Sequence, residues 1–193
     1  MKSDKKKVLK IGVDFDGVVA YNPFRIFRAF VTGFKRKVLK KIGLKFFIPK
    51  TGWQRTIWGV LHESSVFPAR GVDLLKEAVE NGSIEVHLVT GRYSYLNRSL
   101  DQWLDRYRLR SYFKSINLNE KNDQPHLFKK RVIERYKFDY FIEDNWDIVH
   151  YLDENCSTPV CWIYNLVDRL FVPQRKGFSV LEDALRWILK QEK

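Results

Sequence analysis

Three short polar clusters each follow an apolar run in this chain. Asp14-Phe15-Asp16-Gly17 follows the run that opens at Val8, Thr90-Gly91-Arg92 follows Ile84 to Val89, and Glu143-Asp144-Asn145 follows Phe138 to Ile142. Lys129 and Lys130 lie in the segment that feeds the last of these runs. Asp14 and Asp16 are two apart, so their side chains project to one side if a strand continues through them. Carboxylates brought together repel unless a cation joins them. An oxygen-only set suits Mg2+, which keeps positions for phosphate oxygens and water. A carboxylate can also attack phosphorus and form an aspartyl-phosphate. Transfer then needs cancellation of charge on the equatorial oxygens, work suited to the Thr90 hydroxyl, the N–H groups around Gly91 and a lysine ammonium. A second carboxyl can protonate the leaving oxygen and then activate water. These are the parts of a metal-assisted phosphohydrolase.

Each cluster alone has a plainer reading. The paired aspartates can form a metal-free polar turn, and Thr90-Gly91-Arg92 an ordinary turn. Lys129 can be a solvated helix lysine. Glu143-Asp144 can cap the helix that follows. What favours a site is that three separate strand ends deliver these groups together.

The elements that would position them alternate along the chain. Strands are expected at Val8 to Phe15, Ile84 to Val89, Ser115 to Leu118, Phe138 to Ile142 and Pro159 to Tyr164. Helices are expected at Val72 to Glu80 (stopped by Asn81-Gly82), Leu96 to Tyr107, Pro125 to Tyr136, Asp147 to Glu154 and Val180 to Leu189. Such alternation predicts an α/β fold, a mostly parallel sheet with helices on both faces. The ligand site of such a sheet lies at the C-terminal strand ends.

The set IGVDFDG, LVTGR, a helix lysine and FIEDN resembles the haloacid-dehalogenase (HAD) superfamily. The resemblance covers about residues 8–20 and 70–165 and implies a Rossmann-like core and a Mg2+-dependent phosphatase. It makes Asp14 the nucleophile and Asp16 the general acid/base, whose backbone carbonyl also binds metal. Thr90 becomes the phosphate-binding hydroxyl and Asp144 the metal acid, with Glu143 and Asp147 as supporting acids. Gly91 and Arg92 fall on the phosphate loop, where Arg92 steadies the loop or touches phosphate. Lys129 is favoured as the active-site lysine, with Lys121 and Lys130 as alternatives. Dehalogenases lack the second aspartate, so Asp16 points to a phosphatase or phosphotransferase. The DGVV and EDN endings look most like the 5'(3')-deoxyribonucleotidase branch, so a nucleotide or similar small phosphorylated metabolite is the expected substrate.

Residues 21–68 read as a small helical insert, at the position of the family's first cap, between core segments 1–20 and 69–193. Phe24, Phe27, Phe30, Val31, Phe34, Val38 and Ile42 are spaced as one face of an amphipathic helix ended by Gly43. Thr51 and Gln54 have capping-box spacing and open a second helix carrying Trp53, Ile57, Trp58 and Leu61. Between Asp16 and Glu63 lie ten basic residues, from Arg25 to Arg55, and no acid, against a net charge of +12 for the whole chain. Stretch 22–55 therefore suggests an acidic partner: a phosphorylated substrate, a nucleic acid or an anionic membrane. A solvated helix face is the plainer alternative. Trp53 and Trp58 can stack on a base or form cap core, and Arg25 and Arg55 can meet further phosphate charge.

The 193 residues fit one domain with an insert, and 45% apolar content excludes global disorder. No run reaches the roughly 18 apolar residues of a membrane span, and no signal-peptide core follows the first lysines. A cytoplasmic protein is expected, with peripheral contact to membrane or nucleic acid through the insert. Cys156 and Cys161 lack metal-ligand spacing and are expected as reduced thiols. The composition leaves the oligomeric state open.

Overall fold

The computed structural model describes residues 7–23, 44, 46–49, 51–63, 65–165, 169 and 177–191. Strand β1 (Leu9–Val13) is followed by a short β2 (Ala20–Tyr21), helix α1 (Gly52–Glu63) and β3 (Phe67–Pro68). Next come α2 (Val72–Glu80), β4 (Ile84–Tyr93), α3 (Asn97–Arg106) and β5 (Phe113–Asn119). The chain continues through α4 (Pro125–Tyr136), β6 (Tyr140–Glu143), α5 (Trp146–Asn155), β7 (Val160–Trp162) and α6 (Leu181–Gln191). β5, β4, β1, β6 and β7 form one sheet in that order, and every pairing is parallel.

The order places β1 in the centre and makes the chain reverse direction of travel there. Successive strands first step outward on one side (β4, β5) and then on the other (β6, β7). That is the switch point at which α/β sheets open a crevice. Alternate strand residues fill two cores. Ile142 and Cys161 join β1 and β4 apolar residues against α2, α3 and α6. Phe141, Val160 and Trp162 face the opposite way, onto α4 and α5. Helices on both faces thus bury both sides of the sheet, which is why its central strand β1 is apolar apart from Lys10.

The expected helices over Val72–Glu80 and Pro125–Tyr136 are found at those bounds. Asn81 closes α2, and Gly82 follows at φ 71°. The largest difference is β4. It runs on through Thr90, Gly91 and Arg92 to Tyr93, where a turn after Val89 was expected. The pairing with β5 shifts register between Thr90 and Tyr93, so the strand is irregular where the polar cluster sits.

β2 and β3 pair antiparallel, Ala20 with Pro68 and Tyr21 with Phe67. This ribbon ties together the two ends of segment 21–68. α1 begins as its capping box predicts, with the Thr51 amide donating to Gln54 Oε1 at 3.2 Å. Phe46 joins the α4/α5 core, and its amide and carbonyl both bond the Gln124 side chain at 2.8 and 3.2 Å. The Tyr93 hydroxyl donates to the Phe47 carbonyl at 3.0 Å. The helix expected from Phe24 to Ile42, and Gly43 after it, lie outside the described residues. Among the described residues no helix is long and apolar enough to cross a membrane.

Candidate active site

Asp14 is the first residue beyond β1, and its amide still donates to the Ile142 carbonyl at 2.9 Å. The ladder therefore aims Asp14 at the C-terminal edge of the sheet. The loop after it closes on itself: the amides of Val19 and Ala20 donate to the Phe15 carbonyl, and that of Gly17 to the Ala20 carbonyl. Phe15 is fully buried, edge-on to Trp103 at 4.9 Å, and anchors the loop between the two aspartates. Gly17 has φ 82°, and a Cβ there would collide with the Asp144 carboxylate. Only glycine lets this loop and the β6 end approach so closely.

Asp14, Glu143 and Asp144 are all buried and each offers an oxygen within 4.8 Å of the others. Lys129, 2% exposed, reaches into this group from α4. Its ammonium lies 2.6 Å from Glu143 Oε2 and 2.9 Å from Asp14 Oδ1. Among the described contacts, Lys129 is the cation shared by Asp14 and Glu143. Burial, with the neighbouring Glu143 charge, pushes the Asp14 carboxyl well above its usual range, against the pull of Lys129. Burial also raises Glu143. Burial alone would lower Lys129, but Asp14 and Glu143 outweigh it and hold the ammonium above its ordinary value.

The chemistry of the donor set decides whether a metal fits. A buried group of three carboxylates, offering oxygens alone, matches a hard divalent cation such as Mg2+. The Asp16 side chain stands outside this group. Its Oδ2 accepts from Arg92 Nε at 2.8 Å, and its Oδ1 accepts from Arg92 Nη2 at 2.7 Å and Ser65 Oγ at 2.6 Å. The shared side expected for Asp14 and Asp16 required a continuing strand. β1 stops at Val13 instead, and the two carboxylates acquire different partners.

Thr90 is buried, and its Oγ1 accepts from the Arg92 amide at 3.2 Å. Gly91 serves a close approach here: a Cβ would lie 2.8 Å from Pro125 Cβ, the first residue of α4. The β4 end and the Lys129 helix therefore meet at this glycine. Lys130 turns outward to Glu134 at 3.6 Å, and Lys121 is exposed on the loop after β5. Of the three candidate lysines only Lys129 contacts Asp14 among the described interactions.

In the Glu143-Asp144-Asn145 cluster it is Asn145 that caps α5, accepting from the Asp147 amide at 3.1 Å. Glu143 points inward, with Oε1 accepting from the Asn145 amide at 3.1 Å. Trp162 Nε1 donates to the Asp144 carbonyl at 3.2 Å and fixes the strand end. Asp147 is half-buried in the first turn of α5, outside the acidic trio. Ser65 belongs to no recognisable motif, and nothing in the sequence around it signals contact with Asp16. Cys156 is half-buried and Cys161 buried, and the two are not joined in a disulfide.

No family model matches the chain, and no curated protein matches it in sequence. Solved structures do resemble it. The magnesium-bound HAD hydrolase YfnB of Bacillus subtilis aligns over 95% of this chain and 100% of its own, at 15% identity and TM-score 0.59. A Thermotoga maritima protein described as a β-phosphoglucomutase aligns over 95% and 99%, at 19% identity and TM-score 0.60. CbbY of Rhodobacter sphaeroides, solved with phosphate, aligns over 92% and 96%, at 13% identity and TM-score 0.57. With its central β1, its parallel sheet order and these neighbours, the chain has the Rossmann-like α/β fold of HAD-superfamily hydrolases.

Proposed function

We propose that the chain is a Mg2+-dependent phosphomonoester hydrolase that works through an aspartyl-phosphate on Asp14. The observation that carries this reading is the contact of Lys129 with Asp14 inside the Asp14–Glu143–Asp144 group. Asp14 and Asp144, with the Asp16 backbone carbonyl, would hold the metal. Bound there, Mg2+ would neutralise the carboxylates and offset charge on the phosphate oxygens.

An Asp14 carboxylate oxygen attacks phosphorus in line while the bond from phosphorus to the ester oxygen breaks. The Asp16 carboxyl gives its proton to that leaving oxygen. Asp16, now a carboxylate, takes a proton from water as the water oxygen attacks phosphorus. The bond to Asp14 breaks and phosphate departs, restoring both groups. Thr90, the Gly91 backbone and Lys129 face the transferred group, where they offset its charge.

Segment 21–68 acts in this reading as a cap that selects the substrate and excludes water. The β2–β3 ribbon at its base and the docking of Phe46 and Phe47 on the core support that role. A nucleotide or similar small phosphorylated metabolite suits the resemblance to the 5'(3')-deoxyribonucleotidase branch. Arg55 lies 5.9 Å from the Tyr95 ring centre, which sets a cation beside the loop after β4. The unbalanced basic run from Arg25 to Arg55 favours a second reading, in which the insert docks a nucleic-acid end or a lipid phosphate.

The test is phosphate release with Mg2+ from nucleotides, sugar phosphates, a lipid phosphate and a 5'-phosphorylated oligonucleotide. Wild type and Asp14→Asn are compared. Release from one class, lost in Asp14→Asn, is the expected result and names the substrate class. Release that survives Asp14→Asn would overturn the mechanism. No release by the folded, Mg2+-bound protein would favour a binding module on the same scaffold.

A further inference from the structure

Arg92 closes both arms of its fork on one carboxylate. Nε and Nη2 donate separately to the two oxygens of Asp16 at 2.8 and 2.7 Å, the bidentate geometry that fixes a carboxylate plane as well as its charge. The guanidinium is itself constrained. Arg92 is 4% exposed, and its guanidinium carbon lies over the Phe15 ring at 4.5 Å. Its backbone amide is bonded to Thr90 Oγ1. Ser65, buried and just ahead of β3, adds a third donor to Asp16 at 2.6 Å from the end of the insert.

We propose that Arg92 and Ser65 are positioning residues for Asp16, holding its carboxylate beside the Asp14 site and linking its placement to the β2–β3 ribbon. The proposal rests on the reading of Asp16 as the proton carrier. It separates the work of two buried cations. Lys129, on α4, serves the nucleophile and the transferred phosphate. Arg92, on β4, serves the proton carrier. The sequence motif alone allows Arg92 to be a phosphate ligand, but the fork faces Asp16. The Ser65 link has a further consequence. A shift of the β2–β3 ribbon would move Ser65, one of the donors described for Asp16, and so be felt at the proton carrier.

The experiment compares wild type, Arg92→Lys, Arg92→Ala and Ser65→Ala with Mg2+. The substrates are p-nitrophenyl phosphate and the best alkyl phosphate of the panel, with inorganic phosphate as competitive inhibitor. Lysine keeps the charge but cannot form the fork. Both Arg92 variants should therefore lose kcat alike, by tenfold or more on the alkyl phosphate, whose leaving oxygen needs a proton. The loss should be smaller on p-nitrophenyl phosphate, and KM and the phosphate inhibition constant should stay within about twofold of wild type. Ser65→Ala should show the same split at about fivefold, the scale of one ordinary hydrogen bond. It keeps the proposal testable if the Arg92 variants do not fold.

A tenfold weaker phosphate inhibition with equal losses on both substrates would make Arg92 a phosphate ligand and overturn the proposal. So would restoration of kcat by Arg92→Lys. Absence of Asp14-dependent turnover in wild type would overturn the phosphatase reading itself. A thermal double-mutant cycle of Asp16→Ala and Arg92→Ala would then show coupling of a purely structural pair, and the positioning role would fall with the enzyme.

Discussion

Lys129 and Glu143 form the closest contact in the acidic group, 2.6 Å between ammonium and carboxylate with both side chains out of solvent. Glu143 is anchored in turn by the Asn145 amide. The lysine that meets Asp14 is thus held by the residue next to the candidate metal acid Asp144. A single change at this pair alters both the charge around Asp14 and the ordering of the β6 end.

Replacing Lys129 by Met should leave the buried Asp14 and Glu143 without the cation they share. Breaking a buried pair by removing one partner costs about 3–5 kcal/mol. Thermal unfolding in EDTA should show a lower midpoint than wild type, and added Mg2+ should recover part of the loss. An unchanged midpoint would mean that the carboxylates are protonated without penalty and that Lys129 does not organise them.

Much of this arrangement was legible in the sequence because it depends on local pattern. Alternating elements gave a parallel sheet, and the polar clusters after β1 and β6 were visible as breaks in apolar runs. What could not be seen were effects of approach between distant segments. β4 continues past Val89 because β5 pairs with it as far as Asn119, a tertiary contact that overrides the turn preference of Thr90-Gly91. The divergence of Asp14 and Asp16 depends on where β1 ends and on Arg92 and Ser65, residues 76 and 49 positions away from Asp16. Capping was the plainer alternative for Glu143-Asp144 because helix capping is a local rule. Asn145 takes the cap, and burial turns Glu143 inward.

Gly91→Ala should disturb the site without touching any candidate catalytic side chain. The new methyl group would stand 2.8 Å from Pro125 Cβ and push the start of α4 away from β4. Overpacking of this kind costs about 1–3 kcal/mol. Since α4 carries Lys129, turnover should fall as well. The check is the melting midpoint together with kcat. A variant as stable and active as wild type would show that α4 shifts freely.

Asp139 fastens β1 at the opposite edge of the sheet. Its Oδ2 accepts from the Lys10 amide at 2.8 Å, and its Oδ1 accepts from Lys7 Nζ at 2.6 Å. Burial would raise its carboxyl, but the Lys7 and Lys10 contacts outweigh this and hold it below the usual carboxylate range. A depressed folded-state value gives stability that is present above the unfolded value, ordinarily about 3.9, and lost as pH falls through the folded one. The Lys7 partner is exposed, so the contribution is discounted to about 1 kcal/mol. Asp139→Asn should lower stability at pH 7 and lose less than wild type as pH falls below about 4. Parallel stability curves for the two proteins would assign the acid sensitivity elsewhere.

Metal binding should be readable without any substrate. With Asp14, Glu143 and Asp144 within 4.8 Å of one another, the folded protein presents a set of oxygens that the unfolded chain does not hold together. Mg2+ should therefore bind the folded state in preference and raise its stability, by about 2.7 kcal/mol at a hundredfold excess over Kd. EDTA-treated protein titrated with Mg2+ should show a saturable rise in melting midpoint. Asp144→Asn should abolish the rise, because it removes one of the three carboxylates and its charge. The same change should leave the Asp16–Arg92 pair in place, so the variant should still fold. Asp16→Asn should preserve the Mg2+ response, since that side chain is engaged by Arg92 and Ser65, apart from the trio. Loss of the response in Asp16→Asn but not in Asp144→Asn would move the metal to the other side of the loop and separate it from Asp14.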